Sequence, residues 1–292
     1  MAVHVAAGRE QTRALDPAES GYVERDGVRV FYEVYGSGEP TFLLLPTWSI
    51  IHSRQWKAQV PFLARGHRVV TFDGRGSGRS DRPTEPEAYD EREFALDALA
   101  VLDATATERA VVVGYSLGTP RGLILAVEHP ERVDRLVIMN TGIGGGRPPS
   151  EEWLRFRDWL NRLGTDVVPG RLVRISAVQP LADEVVDAYS APWPVPESKA
   201  GILAFPDLVP ISPEHPDLAA HLRVREALSR WEKPALVLFS DSDPIFSPRH
   251  AERIAAFIPG SLEPEIVVGA GHFLQEDKGE EIGRRIARFV AG

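Results

Sequence analysis

The sequence predicts an α/β fold in which a mostly parallel central sheet is flanked by helices. Short apolar runs alternate with longer amphipathic ones along the first half of the chain, and the runs "HRVVTFD", "RAVVVGY" and "DRLVIMN" have an uninterrupted apolar centre. Strands of this kind are buried on both faces, as in a parallel sheet covered by helices, whereas a sheet with one wet face shows alternation.

The elements of the first half follow one another in a regular order. Five strands are expected, beginning at Val28, Thr41, His67, Arg109 and Asp134. Between them, apolar residues recur at helical spacing. These helices are expected to begin at Ser53, Asp90 and Leu117. The strands "KPALVLFS" and "EPEIVV" and the closing helix "KGEEIGRRIARFVA" resume the pattern near the end, so two blocks of the chain are predicted to build one sheet.

A segment of different character separates the two blocks. Residues 146–231 look helical and are rich in proline and aromatic residues. An insertion into one sheet is more economical than three separate domains. We therefore expect a helical cap over 146–231, inserted after the sixth strand, on a core made of 21–145 and 232–292. Residues 1–20 are expected to form a flexible lead.

Composition excludes several classes of function. The formal net charge of −9, without a long basic run, argues against nucleic-acid binding and against attachment to an anionic membrane. Without cysteine, the chain has no disulfide, thiolate metal site or cysteine nucleophile. The first residues lack the apolar centre of a signal peptide, and no apolar run approaches ~18 residues. We expect a soluble, cytoplasmic protein with a small-molecule substrate, no cofactor or metal, and an oligomeric state that the sequence leaves open.

One serine lies between two glycines at the end of an apolar run. "VVVGYSLG" places Ser116 where a predicted strand ends and a predicted helix begins. So tight a turn strains the serine backbone, requires glycine at Gly114 and Gly118, and lifts the hydroxyl clear of the sheet. The N–H of Leu117 is then offered to an anion at the helix start. Ser116 is predicted to be a nucleophile; the alternative is a helix cap beside a close helix–strand crossing.

A serine nucleophile needs a base and an acid, and candidates for both follow later strands. Of the eight histidines, His272 alone follows a predicted strand on a glycine-rich turn, where it is suited to take the serine proton. "SDSDP" ends the preceding strand and offers Asp241 and Asp243 as the carboxylate that orients the imidazole. Asp243 is preferred because the proline after it restricts its loop, which leaves Asp241 as a turn cap.

Further site residues are expected from the loop after "TFLLLP" and from the cap. Pro46 has no N–H, so Trp48, counted from the strand end, is the candidate for a second backbone donor to the anion beside Leu117. The cap is expected to cover a largely apolar pocket. The candidate wall residues are Trp153, Trp193 and Phe205. Packing within the cap is the alternative role for each of them.

With Ser116, Asp243 and His272 in this chain order, the sequence resembles the α/β-hydrolase superfamily from Val28 onward. The stretches "NTGIGGGRPPSEEWLRFRDW", "YSAPWPVPESKAGILAFPDLVP" and "GAGHFLQED" resemble the haloalkane dehalogenases in particular. That resemblance implies the helical cap and an acid placed late in the chain.

The first half departs from the haloalkane dehalogenases where their chemistry is decided. Those enzymes have an aspartate nucleophile followed by a halide-binding Trp, and this chain has Ser116 and Leu117 at these two positions. They also usually carry His-Gly where this chain has Pro46 and Thr47. Displacement onto aspartate gives an ester that water opens, whereas displacement onto serine gives an ether that persists. The departure predicts a carboxylic ester hydrolase with an acyl-serine intermediate, acting on an ester or lactone. The alternatives are a carbon–carbon bond hydrolase with the same triad, a haloalkane dehalogenase-like enzyme and a non-catalytic binding module.

Overall fold

The computed structural model describes residues 15–143, 149–210, 212–215 and 218–291. Its strands are β1 Glu19–Arg25, β2 Val28–Tyr35, β3 Phe42–Leu44, β4 Val69–Phe72, β5 Ala110–Tyr115, β6 Val133–Met139, β7 Ala235–Ser240 and β8 Glu265–Val267. They form one sheet in the order β1-β2-β4-β3-β5-β6-β7-β8. β1 and β2 pair antiparallel to each other, and β2 pairs antiparallel to β4, whereas the strands from β4 across to β8 are parallel.

Helices cover both faces of this sheet. They are α1 Val60–Leu63, α2 Glu91–Ala104, α3 Gly118–Glu128, α4 Glu151–Leu163, α5 Pro169–Ser176, α6 Asp183–Ser190, α7 Ala200–Leu208, α8 Leu218–Leu228, α9 Pro248–Phe257, α10 Leu274–Asp277 and α11 Gly279–Ala291. Val111 and Val113 of β5 point into one hydrophobic core, and Val112 points into the other. The prediction of a mostly parallel sheet flanked by helices is therefore confirmed.

The first strand begins inside the predicted lead. Glu19 and Ser20 pair with Val34 and Glu33, so the sheet starts at residue 19. Residues 1–14 of that lead lie outside the described residues. The sequence prediction also missed β1 altogether, because "ESGYVER" forms an edge strand with few apolar residues and much exposed surface.

The helix predicted from Ser53 is broken into two short pieces. A 3₁₀ turn covers Ser53–Trp56, and α1 follows only at Val60–Leu63. Pro61 lies in the first turn of α1, where its missing N–H is tolerated, but it cannot continue a helix from the preceding residues.

The segment between β6 and β7 contains α4 to α8, as expected of an inserted cap. The predicted start of the cap at 146 lies outside the described residues. At the other end, Leu228 of α8 and Trp231 belong to the same hydrophobic core as Leu123 of α3, so the last helix of the predicted cap range packs on the core. None of the helices within the described ranges has the length and apolar character needed to cross a membrane.

Candidate active site

Ser116 lies on the turn that joins β5 to α3. Its φ of 49° is in the left-handed region, which is strained for a residue with a Cβ. The Ser116 N–H donates to the Met139 carbonyl at 3.0 Å, and the Ser116 carbonyl accepts from Thr141 Oγ1 at 3.0 Å. The end of β6 therefore holds the strained residue in place on both sides of its Cα.

The flanking glycines are required by close backbone contacts. A Cβ on Gly114 would lie 2.6 Å from the Cα of Thr119, and a Cβ on Gly118 would lie 2.8 Å from the carbonyl oxygen of Pro46. Contacts this short force the backbone to shift, because neither neighbour is a flexible side-chain end. The second contact also places the loop after β3 against the first turn of α3.

The structure brings Ser116, His272 and Asp243 together from the loops after β5, β8 and β7. His272 Nε2 lies 3.2 Å from Ser116 Oγ, and His272 Nδ1 lies 2.8 Å from Asp243 Oδ2. The other Asp243 oxygen accepts the N–H groups of Ile245 and Phe246 at 2.8 and 3.2 Å, and the carboxylate side chain is fully buried. A buried carboxylate held in this way keeps the imidazole in one orientation and stabilises its protonated form.

Asp241 makes a different set of contacts. Its Oδ1 accepts from Ser242 Oγ at 2.9 Å and from the Gly269 N–H at 2.9 Å, which joins the ends of β7 and β8. Asp241 is therefore placed as a turn residue and Asp243 faces the imidazole, the arrangement that the sequence favoured.

Asn140 holds the His272 loop and was missed by the sequence reasoning. It is fully buried at the end of β6 with a φ of 37°. Its Nδ2 donates to the carbonyls of Gly271 and His272 at 3.1 and 3.0 Å, and its Oδ1 accepts the Ser240 N–H at 2.9 Å. The available signal was an asparagine directly after an apolar strand, since asparagine tolerates the left-handed region better than other residues with a Cβ.

Two backbone N–H groups are candidates to receive negative charge beside Ser116. Leu117 is the residue before α3, and it has helical dihedral angles and a side chain that makes no capping hydrogen bond. Its N–H therefore lies at the positive end of the helix. The contact between the Pro46 carbonyl and Gly118 holds the loop after β3, which carries Trp48 two residues further on, against the start of α3. We call the N–H groups of Leu117 and Trp48 the anion cradle.

Two of the three predicted wall residues join an aromatic cluster at the boundary between core and cap. The Trp48 and Phe205 ring centroids are 4.1 Å apart, and Trp153 and Phe156 each lie 6.4 Å from Phe205. The Trp48 indole N–H also donates to the Ile202 carbonyl at 3.2 Å. This aromatic cluster joins the loop after β3 to α4 and α7 of the cap through apolar contacts.

Trp193, the third predicted wall residue, is placed elsewhere. It is buried, and its indole N–H donates to the Gly76 carbonyl at 3.0 Å, which ties the cap to the loop after β4. Tyr189 makes a second contact between cap and core, because its hydroxyl bonds to both Lys57 and Glu276 of the core. Trp193 therefore packs between cap and core, in the same hydrophobic cluster as Phe205.

His52 is buried next to Tyr189 and Trp193. Its ring centroid lies 5.8 Å from that of Tyr189. Burial, opposed by the Asp73 carboxylate and assisted by Arg54 and Lys57, lowers the pKa of His52 to about 4. His52 is therefore neutral at pH 7. Within the described part of the chain, no group of three or more His, Asp or Glu side chains is arranged to hold a metal ion.

Comparison with known proteins assigns the family. The model of the α/β-hydrolase fold family matches residues 40–170 and 173–279. The chain belongs to this family. Among its relatives, the haloalkane dehalogenase of Mycobacterium marinum is 35% identical over 257 residues, which cover 85% of this chain and 84% of the relative. The haloalkane dehalogenase of Mycolicibacterium paratuberculosis is 34% identical over 258 residues, with 85% and 82% covered.

Solved structures agree with this assignment. The tetrameric haloalkane dehalogenase DpaA from Paraglaciecola agarilytica NO2 superimposes with a TM-score of 0.82 at 27% identity, covering 96% of each chain. The putative ancestral haloalkane dehalogenase AncHLD2 superimposes with a TM-score of 0.83 at 26% identity, covering 93% of this chain and 98% of that one.

These similarities contradict the predicted carboxylic ester hydrolase. The relatives at 34–36% identity over 85% of the chain are dehalogenases. The prediction inferred the reaction from one side chain, Ser116, and gave it more weight than the cap and the second half of the sequence, whose resemblance to the dehalogenases extends over many more residues.

Proposed function

We propose that this chain is a haloalkane dehalogenase-like hydrolase that replaces a halogen on a small apolar substrate with a hydroxyl group from water. The observation that carries the proposal is the 34–36% identity to haloalkane dehalogenases over 85% of the chain. The aromatic cluster supports it, because a haloalkane has no charge and binds by burial of apolar surface.

The serine requires a route without a covalent alkyl intermediate. An ether on Ser116 would end turnover, so a water molecule must attack the halogen-bearing carbon directly. His272 Nε2 takes one proton from that water, the carbon–oxygen bond forms as the carbon–halogen bond breaks, and an alcohol and a halide ion result. Asp243 stabilises the imidazolium, which then returns its proton to solvent.

Two other parts of the site assist this step. The Ser116 hydroxyl, 3.2 Å from His272 Nε2, is placed to hold the attacking water by a hydrogen bond. The anion cradle stabilises the negative charge that develops as the halide leaves. Both contributions are electrostatic and leave Ser116 chemically unchanged.

Halide release tests this proposal. The purified protein is incubated with 1-bromobutane, 1-bromohexane and 1,2-dibromoethane, and bromide and alcohol are measured. We expect release in equal amounts, abolished in His272→Gln and retained in large part in Ser116→Ala, because the serine is not alkylated. Under single-turnover conditions in H₂¹⁸O, the label should enter the alcohol directly. Absence of bromide release with every substrate would contradict the proposal.

A second candidate, a carbon–carbon bond hydrolase, is favoured by one specific observation. Ser116 is held in a strained turn with its hydroxyl beside an imidazole, which is the arrangement of an activated nucleophile. Ser116 Oγ would attack a ketone carbonyl while His272 takes its proton, and the anion cradle would hold the tetrahedral oxyanion. The carbon–carbon bond then breaks, His272 protonates the carbanion, and water releases the acid from Ser116.

The two candidates respond differently to one variant. A carbanion leaves only when a neighbouring group stabilises it, so the matching substrates are β-diketones such as 1-phenylbutane-1,3-dione. For this candidate, Ser116→Ala should abolish cleavage and a fluorophosphonate probe should label Ser116. Halide release that survives in Ser116→Ala instead supports the dehalogenase-like reaction.

A further inference from the structure

A buried arginine lies behind the loop that carries Trp48. Arg121 stands one turn into α3 with 2% of its surface exposed, and its Nη1 donates a hydrogen bond to the Thr47 carbonyl oxygen. Its guanidinium carbon lies 3.4 Å from the centroid of the Phe94 ring in α2. Its Nε is buried and has no hydrogen-bond partner among the described residues.

This placement is costly for the fold. Burial lowers the pKa of Arg121 to about 10, because the cation is poorly solvated there. A methionine would fill a similar space against Phe94 without the desolvation cost. Arg121 is charged and buried, and one of its N–H donors has no hydrogen-bond partner among the described residues, although buried polar groups are normally hydrogen-bonded. Exceptions to that rule are expected at functional sites.

The Arg121 hydrogen bond acts on a peptide group that belongs to the anion cradle. The Thr47 carbonyl and the Trp48 N–H are parts of one planar trans peptide unit, so they point in opposite directions. Fixing the direction of the carbonyl therefore fixes the direction of the N–H. A charged donor on the carbonyl oxygen also polarises the unit, which strengthens the N–H as a donor.

The rest of the loop is held on either side of this peptide. The Pro46 carbonyl lies against Gly118 at the start of α3, and Ser49 Oγ donates to the Arg75 carbonyl at 3.1 Å. These two contacts keep the loop beside Ser116. They do not act on the Thr47 carbonyl, which Arg121 holds.

We propose that Arg121 is a positioning residue that aims the Trp48 N–H at the negative charge formed beside Ser116. This rests on the proposed function, because both candidate reactions place that charge on the anion cradle. Arg121 itself touches neither the substrate nor the reacting atoms. It acts through the Thr47 carbonyl.

The test reads the Trp48 amide itself. The full chain is labelled with ¹⁵N-tryptophan, which gives backbone amide signals from its six tryptophans, and the Trp48 signal is assigned as the one missing in Trp48→Phe. Two probes are titrated: sodium bromide, the product ion of the first candidate, and phenylboronic acid. The boron of the latter bonds to Ser116 Oγ while His272 takes the proton, which leaves a tetrahedral anion beside the cradle.

The variants are Arg121→Met, Arg121→Lys and the matched control Arg135→Met. Arg135 also donates to a backbone carbonyl, that of Phe289 at 2.9 Å, and lies 5.7 Å from the Phe289 ring centroid. Its removal therefore costs a similar pair of contacts outside the site. Arg121→Lys keeps a cation and one donor, so it extends the test if Arg121→Met does not fold.

We expect the wild-type Trp48 amide to shift with at least one probe. In Arg121→Met the probe should bind about 10-fold more weakly, with Arg121→Lys in between and Arg135→Met within about twofold of the wild type. Wild-type affinity and an unchanged Trp48 signal in both Arg121 variants would overturn this inference alone. A wild-type Trp48 amide that responds to neither probe would overturn the anion cradle and this inference, whereas the proposed function is overturned separately, by the absence of bromide release with every haloalkane.

Discussion

The core and the cap contribute to the site in different ways. In the core, Ser116, Asp243 and His272 are brought together by loops at the same edge of a parallel sheet, and short hydrogen bonds fix each of them. The cap is held on the core by side-chain contacts such as that of the Trp193 indole N–H with the Gly76 carbonyl, 117 residues away. The chemistry is therefore set by strand order, and access to it is set by packing between distant segments.

Substitutions in the core site and substitutions between cap and core should therefore have different effects. Changes at the sheet edge should lower turnover and leave stability nearly unchanged, because those side chains act on reacting groups. Changes at the contacts between cap and core should lower stability or substrate affinity and leave the chemical step nearly unchanged.

The largest effect is expected at His272. Replacing it by Gln removes the base of both candidate reactions, so turnover should fall about 10⁴-fold. The thermal midpoint should stay within a few degrees of the wild type. His67→Gln, at a half-buried histidine that contacts the Glu39 carbonyl away from the site, is the control and should keep full activity. A His272→Gln enzyme with more than a tenth of wild-type turnover would contradict the assigned base.

Asp243→Asn and Asp241→Asn form a matched pair at one loop. An amide at 243 no longer stabilises the imidazolium, so we expect a drop in turnover of about 10³-fold. At 241 the substitution weakens bonds to Ser242, Gly269 and Ala270, none of which involves His272, and turnover should stay within about threefold. Steady-state turnover of the two variants, each compared with the wild type, tests this prediction. Equal losses of turnover would contradict the assignment of Asp243, and not Asp241, as the acid beside His272.

The buried His52, which lies between core and cap, should make the free energy of unfolding depend on pH. Its pKa is about 4 in the folded chain and about 6.5 when unfolded. Between these values the unfolded chain binds a proton that the folded chain does not, so the free energy of unfolding falls as the pH drops from 6.5 to 4. The loss should be on the order of 2 kcal/mol.

Urea unfolding at pH 7.0, 5.5 and 4.5 measures this loss. The His52→Gln variant should show a flatter dependence over the same window, because the other titrating groups are unchanged. Parallel curves for the two proteins would show that His52 is not the group responsible.

The smallest effect is expected at Trp193. Trp193→Phe removes the N–H that satisfies the Gly76 carbonyl, which should lower the free energy of unfolding by about 1–2 kcal/mol. We expect KM to rise while kcat stays within about twofold, since the cap orients and does not react. Trp231→Phe is the control, because the buried indole N–H of Trp231 has no partner among the described residues and its loss should change stability less. A fall in kcat with constant KM would place Trp193 in the chemistry instead.

The sequence was sufficient for the parallel part of the sheet, β3 to β8, and for the residues that follow the carboxyl ends of those strands. Continuous apolar strands, the glycines around Ser116 and the loop positions of Asp243 and His272 all follow from local rules, because parallel strands deliver their carboxyl ends to one edge. The edge strand β1 and the position of Trp193 do not follow from local rules. Both depend on partners that only the folded chain supplies.

The error in function has a similar physical origin. The identity of the residue at position 116 limits which covalent intermediates can turn over, but it does not determine the substrate that the cap admits. The roles of Asn140 and Arg121 could not be predicted from the sequence for the same reason, because each depends on carbonyl groups from another part of the chain. Asn140 bonds to the carbonyls of Gly271 and His272, and Arg121 bonds to that of Thr47.

The separation of Ser116 and His272 along the chain also determines when the site can exist. The two residues are 156 positions apart. At ribosomal rates of ~5–20 residues per second, His272 is made roughly 8 to 30 s after Ser116. Until residue 243 is made, a nascent chain carries neither the aspartate nor the imidazole, so no base lies beside the Ser116 hydroxyl. The site therefore forms only after the last strand and the loop that follows it have been made.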